Sequence, residues 1–153
     1  SGHAILFERK FLSMIHDFPD QLMYDWWAGV VAAYNGGVGY VPDILVYQRV
    51  HGNNVSVGKG FTHLDKAYKN EFNQMVNNHL KAFAVVQHIP EAHSRFFKQL
   101  QHLWEQAMDK SFSWPLFLFL FRHRQIIFWY KRKKISFFSH LKHSYKLASN
   151  SKA

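Results

Sequence analysis

Val38-Gly39-Tyr40-Val41-Pro42-Asp43-Ile44-Leu45-Val46-Tyr47-Gln48-Arg49-Val50 is the stretch on which the fold class turns. Its β-branched and aromatic residues read as two short extended runs, Val38 to Val41 and Ile44 to Val50, separated by Pro42-Asp43. Immediately upstream, Tyr24 to Tyr34 sets Trp26, Trp27, Val30, Val31 and Tyr34 at three- and four-residue steps, which predicts a helix stopped by Asn35-Gly36-Gly37. At the amino end, His3 to Phe7 reads as a short strand. A helix then starts near Glu8 and stops around Phe18-Pro19, and Asp20 opens the next element as its cap. Downstream of Val50, His51 to Gly60 is a polar loop rich in Asn, Gly and Ser.

Beyond Gly60 the periodicity changes. Phe61, Leu64, Tyr68, Phe72, Met75, Val76, Leu80 and Phe83 fall on one stripe, and Ile89-Pro90 breaks it. A second helix, from Glu91 to Asp109, carries Phe96, Phe97, Leu100, Leu103, Trp104 and Ala107, so the two are expected to form an antiparallel hairpin. Trp114 to Tyr130 and Ile135 to Leu147 are aromatic and cationic, with Pro115 suited to a first helical turn. The expected fold class is α+β, mainly helical, in three parts. Residues 1–60 form a mixed segment, 61–110 a helical hairpin and 111–153 an aromatic and basic helical tail.

Composition narrows the functional classes. With 48% hydrophobic and 19% charged residues among 153, the chain is globular rather than disordered. It has no cysteine, which excludes disulfides and thiolate zinc sites. No stretch reaches the roughly 18 consecutive apolar residues of a membrane span, and no basic-then-apolar leader opens the chain. Fifteen Phe, seven Tyr and five Trp call for large buried faces or a surface that meets a partner or a membrane interface. The net charge of +9 is uneven: residues 1–60 hold four Lys or Arg against five Asp or Glu, and residues 61–153 hold fifteen against five. After Asp109 there is no acid at all, so the carboxy-terminal part is expected to face phosphates of some kind.

Two constellations carry chemistry. Tyr24-Asp25-Trp26-Trp27 puts a carboxylate at a helix start beside two indoles. Asp25 there either stabilises the helix amino terminus or acts as a base held ionised near a low-dielectric wall. Tyr47-Gln48-Arg49-Val50-His51-Gly52-Asn53-Asn54 puts Arg49 and His51 on one side of an extended run. That pair suits a diphosphate or a divalent metal, and equally a polar strand end with satisfied side chains. Gly36-Gly37-Val38-Gly39 is a turn, lacking the Gly-Lys-Ser/Thr ending of a phosphate loop. His140 and His143 have no third ligand at helpful spacing and are expected on the surface.

Gly2-His3-Ala4-Ile5-Leu6-Phe7, Tyr24-Asp25-Trp26-Trp27, Tyr40-Val41-Pro42-Asp43, Leu45-Val46-Tyr47 and Arg49-Val50-His51-Gly52-Asn53-Asn54-Val55 follow one another in an order that resembles family 2 glycosyltransferases of the rhamnosyltransferase-like, cell-surface polysaccharide type. The resemblance covers roughly residues 2 to 58. It implies a GT-A fold, here its carboxy-terminal, acceptor-side portion of short strands plus helices. It also implies a nucleoside diphosphate sugar donor, a glycan or lipid-linked acceptor, a divalent metal (magnesium or manganese), and inverting transfer. By the same resemblance Asp25 is the catalytic base, Trp26 and Trp27 shape the acceptor pocket or pack beneath it, and Gly2 and His3 contribute to substrate binding. Arg49 supports the leaving group, Asn53 or Asn54 orders the loop, and His51 approaches the metal and diphosphate. Where the family commonly has Tyr before this Arg, the chain has Gln48.

The family's metal-binding Asp-x-Asp motif occurs nowhere in the chain. The expectation is therefore a fragment that is inactive by itself, binds no metal alone and self-associates through uncovered edges. In the tail, Trp114, Arg122, Arg124, Lys131, Arg132, Lys133 and Lys134 read as a membrane-surface helix on the cytoplasmic face, where aromatics sit at the headgroup boundary and cations meet anionic lipid. Against that stands packing of Phe117, Leu120 and Phe121 on the hairpin with the cations solvated. Outside enzymology, the contending function is a basic helical module that binds anionic membrane or nucleic acid, although no nucleic-acid module signature is present.

Overall fold

The computed structural model describes residues 5–15, 18–19, 22–44, 46–47, 66–128 and 136–149. Among these every regular element is helical. A 3-10 turn, Arg9–Phe11, runs into the short helix α1, Leu12–Ile15. Helix α2, Tyr24–Tyr34, spans the residues that the apolar period marks. It ends where Gly36 and Gly37 take φ values of 121° and 98°, a conformation that L side chains rarely adopt. This lets the Asn35 and Gly37 N–H groups both return to the Ala32 carbonyl, at 3.1 and 2.7 Å. The buried side of α2, Ala28 and Val31, meets Phe11 and Val86 in a small apolar cluster ringed by Ile15, Trp27, Val30 and Ile89.

Helices α3, Lys66–Phe83, and α4, Glu91–Ala107, pack on each other. In the turn between them His88 takes a left-handed φ of 63°, and the Ser94 hydroxyl donates to the Ala84 carbonyl at 2.6 Å. The apolar stripes meet as their spacing requires, with Leu80 and Phe83 buried on α3 and Leu100, Trp104 and Ala107 on α4. Buried Asn77 accepts from Gln101 Nε2 at 3.0 Å, and Gln101 also donates to Glu105 at 2.9 Å. Together with Lys81 at 3.3 Å, that donation holds the Glu105 carboxyl below its usual range.

Helix α5, Trp114–Arg122, is capped by Ser113, whose Oγ accepts from the Leu116 N–H. The Ser113 N–H donates to the Ala148 carbonyl at 3.0 Å, joining the start of α5 to the end of α7, Ser136–Ala148. The two helices run antiparallel: Phe121 touches Phe137 at one end, and Phe112, just before α5, touches Tyr145 at the other. The aromatic run from Trp114 is broken at His123, after which a single turn, α6, Arg124–Ile127, resumes. Leu116, Phe119 and Leu120 face inward to join Leu80, Leu100, Trp104, Ala107 and Ala148 in the main core.

The α+β expectation is overturned. Ile5 to Phe7, Val38 to Ile44 and Val46-Tyr47 lie in no ladder, and no strand occurs among the described residues, so the acceptor-side GT-A fragment with short strands does not describe this chain. The physical reason is that a strand exists only through a neighbour that takes up its N–H and C=O groups. Val38, Tyr40, Val41, Ile44, Val46 and Tyr47 have strand-forming side chains, yet all are exposed, Tyr47 at 88%. β-propensity without a partner leaves a solvated, irregular segment.

Candidate functional site

Asp25 stands in the first turn of α2, partly buried. Its Oδ1 accepts from the Trp26 N–H at 3.0 Å, which occupies one of the free amides at the helix start. Met23, the residue before the helix, supplies no side-chain cap. The anchor comes instead from α3. The Met23 N–H donates to His79 Nε2 at 2.8 Å, so the ring proton lies on Nδ1 and is donated to the Met75 carbonyl at 2.7 Å. Both nitrogens of His79, 1% exposed, are thereby satisfied. Trp26 makes an edge-type contact with the same imidazole, with ring centroids 4.9 Å apart, and Phe83 makes another at 5.7 Å.

Asp25, Trp26 and His79 thus form one unit across the α2–α3 junction. Trp27 points away into the small apolar cluster, its Nε1 buried without a hydrogen-bond partner. The two indoles have separate tasks: Trp26 borders the carboxylate and stays accessible, while Trp27 is framework. At the other end of α2 the Tyr34 hydroxyl contacts His93 Nδ1 at 3.1 Å, and burial raises its pKa above the ordinary 10.0. His79 is the residue that sequence reasoning missed. It falls one position before Leu80 on the apolar stripe of α3, and its contact to Met23 spans 56 residues, for which no local pattern exists.

Gly2, His3, Arg49, His51, Asn53 and Asn54 lie outside the described residues, as do Lys131, Arg132, Lys133 and Lys134. Among the described residues no three His, Asp or Glu side chains converge to hold a metal. A cleft of about 550 Å³ runs along α3 beside Met108 and Asp109 and is lined by Asn70, Glu71, Asn73, Gln74 and Asn78. None of the sequence-predicted site residues borders it.

In the tail, Trp114 and Arg122 are exposed, whereas Arg124 is partly buried. Its guanidinium sits 4.7 Å from the Phe121 ring and 5.9 Å from the Phe137 ring, and its Nη1 donates to the Phe121 carbonyl at 3.0 Å. Of the residues expected to pack on the hairpin, Leu120 is buried, and Phe117 and Phe121 are partly so. The surface assignment of His140 is corrected: the ring is 2% exposed, facing Phe128, with neither nitrogen bonded. It shares the inward stripe of α7 with Ser144 and Ala148, a four-residue repeat of small and polar side chains that an apolar-period argument passes over. No helix among the described residues is long and apolar enough to cross a membrane. No family model, curated protein or solved structure matches the chain.

Proposed function

We propose that this chain supplies the acceptor base for glycosyl transfer from a nucleoside diphosphate sugar, with Asp25 in that role. The observation that carries this is the tethered carboxylate. Asp25 sits on a helix start fixed from α3 by the Met23–His79 hydrogen bond, next to an accessible indole face. An exposed tryptophan beside a carboxylate is a surface on which a sugar ring can lie, its apolar face on the indole and a hydroxyl toward the acid. The succession along the sequence of Tyr24-Asp25-Trp26-Trp27 and Tyr40-Val41-Pro42-Asp43 supports this reading.

In the reaction, the proton of the acceptor hydroxyl passes to Asp25 as the acceptor oxygen forms its bond to the anomeric carbon. The bond from that carbon to the diphosphate oxygen breaks, and its electron pair leaves with the nucleoside diphosphate. No step is assigned through a divalent metal, because the described residues form no ligand set for one. His79 is a positioning residue, holding the helix that carries the base. In an enzyme that joins this chain to a nucleotide-sugar-binding half, Asp25→Asn is expected to lower turnover by roughly 10²- to 10⁴-fold while nucleotide affinity is kept. Radiolabelled sugar transfer that continued at the unsubstituted rate would overturn the assignment.

A further inference from the structure

Helix α7 is packed with its polarity reversed. His140, Ser144 and Ala148 point into the protein, and Phe137, Phe138, Leu141 and Tyr145 point out, Phe138 at 68% exposure. Inward, the small side chains let α7 lie close against Leu116 and Leu120 of α5. Outward, the larger side chains continue a strip that α5 begins. Trp114, 66% exposed, touches Phe112 and Phe117, Phe117 stacks on Phe121, Phe121 meets Phe137, and Phe137 meets Phe138. Leu118 extends the strip on the α5 side. Two antiparallel helices thus present adjoining apolar and aromatic side chains along about 12 Å of their length, taking 1.5 Å per residue.

The charged side chains on these two helices have one sign. Arg122 on α5 and Lys142 and Lys146 on α7 are exposed, and Arg124 is held between two rings of the strip. Phe138, Lys142 and Lys146 recur every fourth residue, placing the lysines in a row beside the apolar row of Phe137, Leu141 and Tyr145. No Asp or Glu follows Asp109 to offset them.

We propose that the outward face of α5 and α7 docks on an anionic lipid bilayer, the rings and leucines entering the headgroup boundary and the cations meeting lipid phosphates. Charge complementarity selects this occupant. A second copy of the same face would set cation against cation with no acid between them. A nucleic acid would satisfy the cations and stack on the rings, but would leave Leu118 and Leu141 in contact with polar backbone, whereas the acyl boundary accepts them. The surface is read from exposure and charge alone and is independent of the Asp25 assignment.

Flotation of the full chain tests this with phosphatidylcholine vesicles against vesicles containing phosphatidylglycerol, at low and high salt. Binding is expected only to the anionic vesicles and is weakened by salt. Lys142→Gln with Lys146→Gln is expected to weaken it by roughly fivefold per lysine, from about 1 kcal/mol for each cation near the surface. Leu118→Ser with Phe138→Ser removes exposed side chains only, so the circular dichroism melt should hold while vesicle binding falls at least tenfold. The proposal is overturned by no binding to anionic vesicles at low salt, by equal binding to both vesicle types, or by unchanged binding of the serine pair. Tighter binding to single-stranded DNA than to vesicles, or salt-resistant dimers in sedimentation that the serine pair dissolves, overturns it in favour of the other occupants.

Discussion

The α2–α3 junction and the α5–α7 pair each bury a histidine, and they treat it in opposite ways. His79 receives a hydrogen from Met23 and gives one to Met75, so a directional contact fixes how α2 sits on α3. His140 is buried as deeply against Phe128 with both nitrogens unbonded, beside a Ser144 hydroxyl that is also unbonded. Around His79 the apolar cluster is small, built on Phe11, Ala28, Val31 and Val86. The α4, α5 and α7 core, which helix α7 joins through Ala148, is larger and tolerates unpaired polar atoms. Where apolar area is scarce, polar geometry specifies the packing; where it is plentiful, burial holds the structure and polar groups are tolerated.

The same substitution at both positions puts this contrast to the test. His79→Leu strands the Met23 N–H and the Met75 carbonyl, and should cost about 1–3 kcal/mol in urea unfolding, with faster hydrogen exchange at Met23. Equal protection of Met23 in the variant would mean that α2 is held by its apolar side alone. At the second position, His140→Leu removes two unpaired polar atoms and leaves a side chain of similar size. Its effect should lie between nil and a gain of about 1 kcal/mol. A loss as large as that at His79 would erase the distinction between the two regions.

Legibility in the sequence follows the same division. The helices α2, α3 and α4 were legible because an amphipathic stripe at a 3.6-residue period is local information, and Tyr24–Tyr34 is framed by its own stop signal. The extended runs misled because β-propensity at Val38 to Tyr47 describes side chains suited to a sheet without saying whether a neighbouring strand exists. Asp25 could be singled out from its position before two indoles, but not its anchor, since His79 lies far away along the chain. The inverted facing of α7 was hidden for another reason. A period argument directs Phe137, Leu141 and Tyr145 inward, and only the packing of α5 shows that Ser144 and Ala148 take that place.

A third histidine lies between these extremes and supplies the smallest expected effect. His123, at the break between α5 and α6, has its ring against Phe119 at 4.5 Å and Phe96 at 5.1 Å. Burial pushes its pKa below the ordinary 6.5, and the neighbouring Arg122 charge pushes the same way. Between the folded value and 6.5 the unfolded chain binds the extra proton more readily, so the contribution to stability is complete above pH 6.5 and is lost as pH falls through the folded value. The ring is partly exposed, which keeps the effect below about 1 kcal/mol after solvent screening. His123→Phe keeps the aromatic contacts and cannot charge. Its melting temperature should therefore run parallel to that of the unsubstituted protein above pH 6.5 and pull ahead of it below. Parallel curves through the acid range, or an imidazole titrating at or above 6.5 by NMR, would place His123 in solvent rather than against the core that α4 and α5 share.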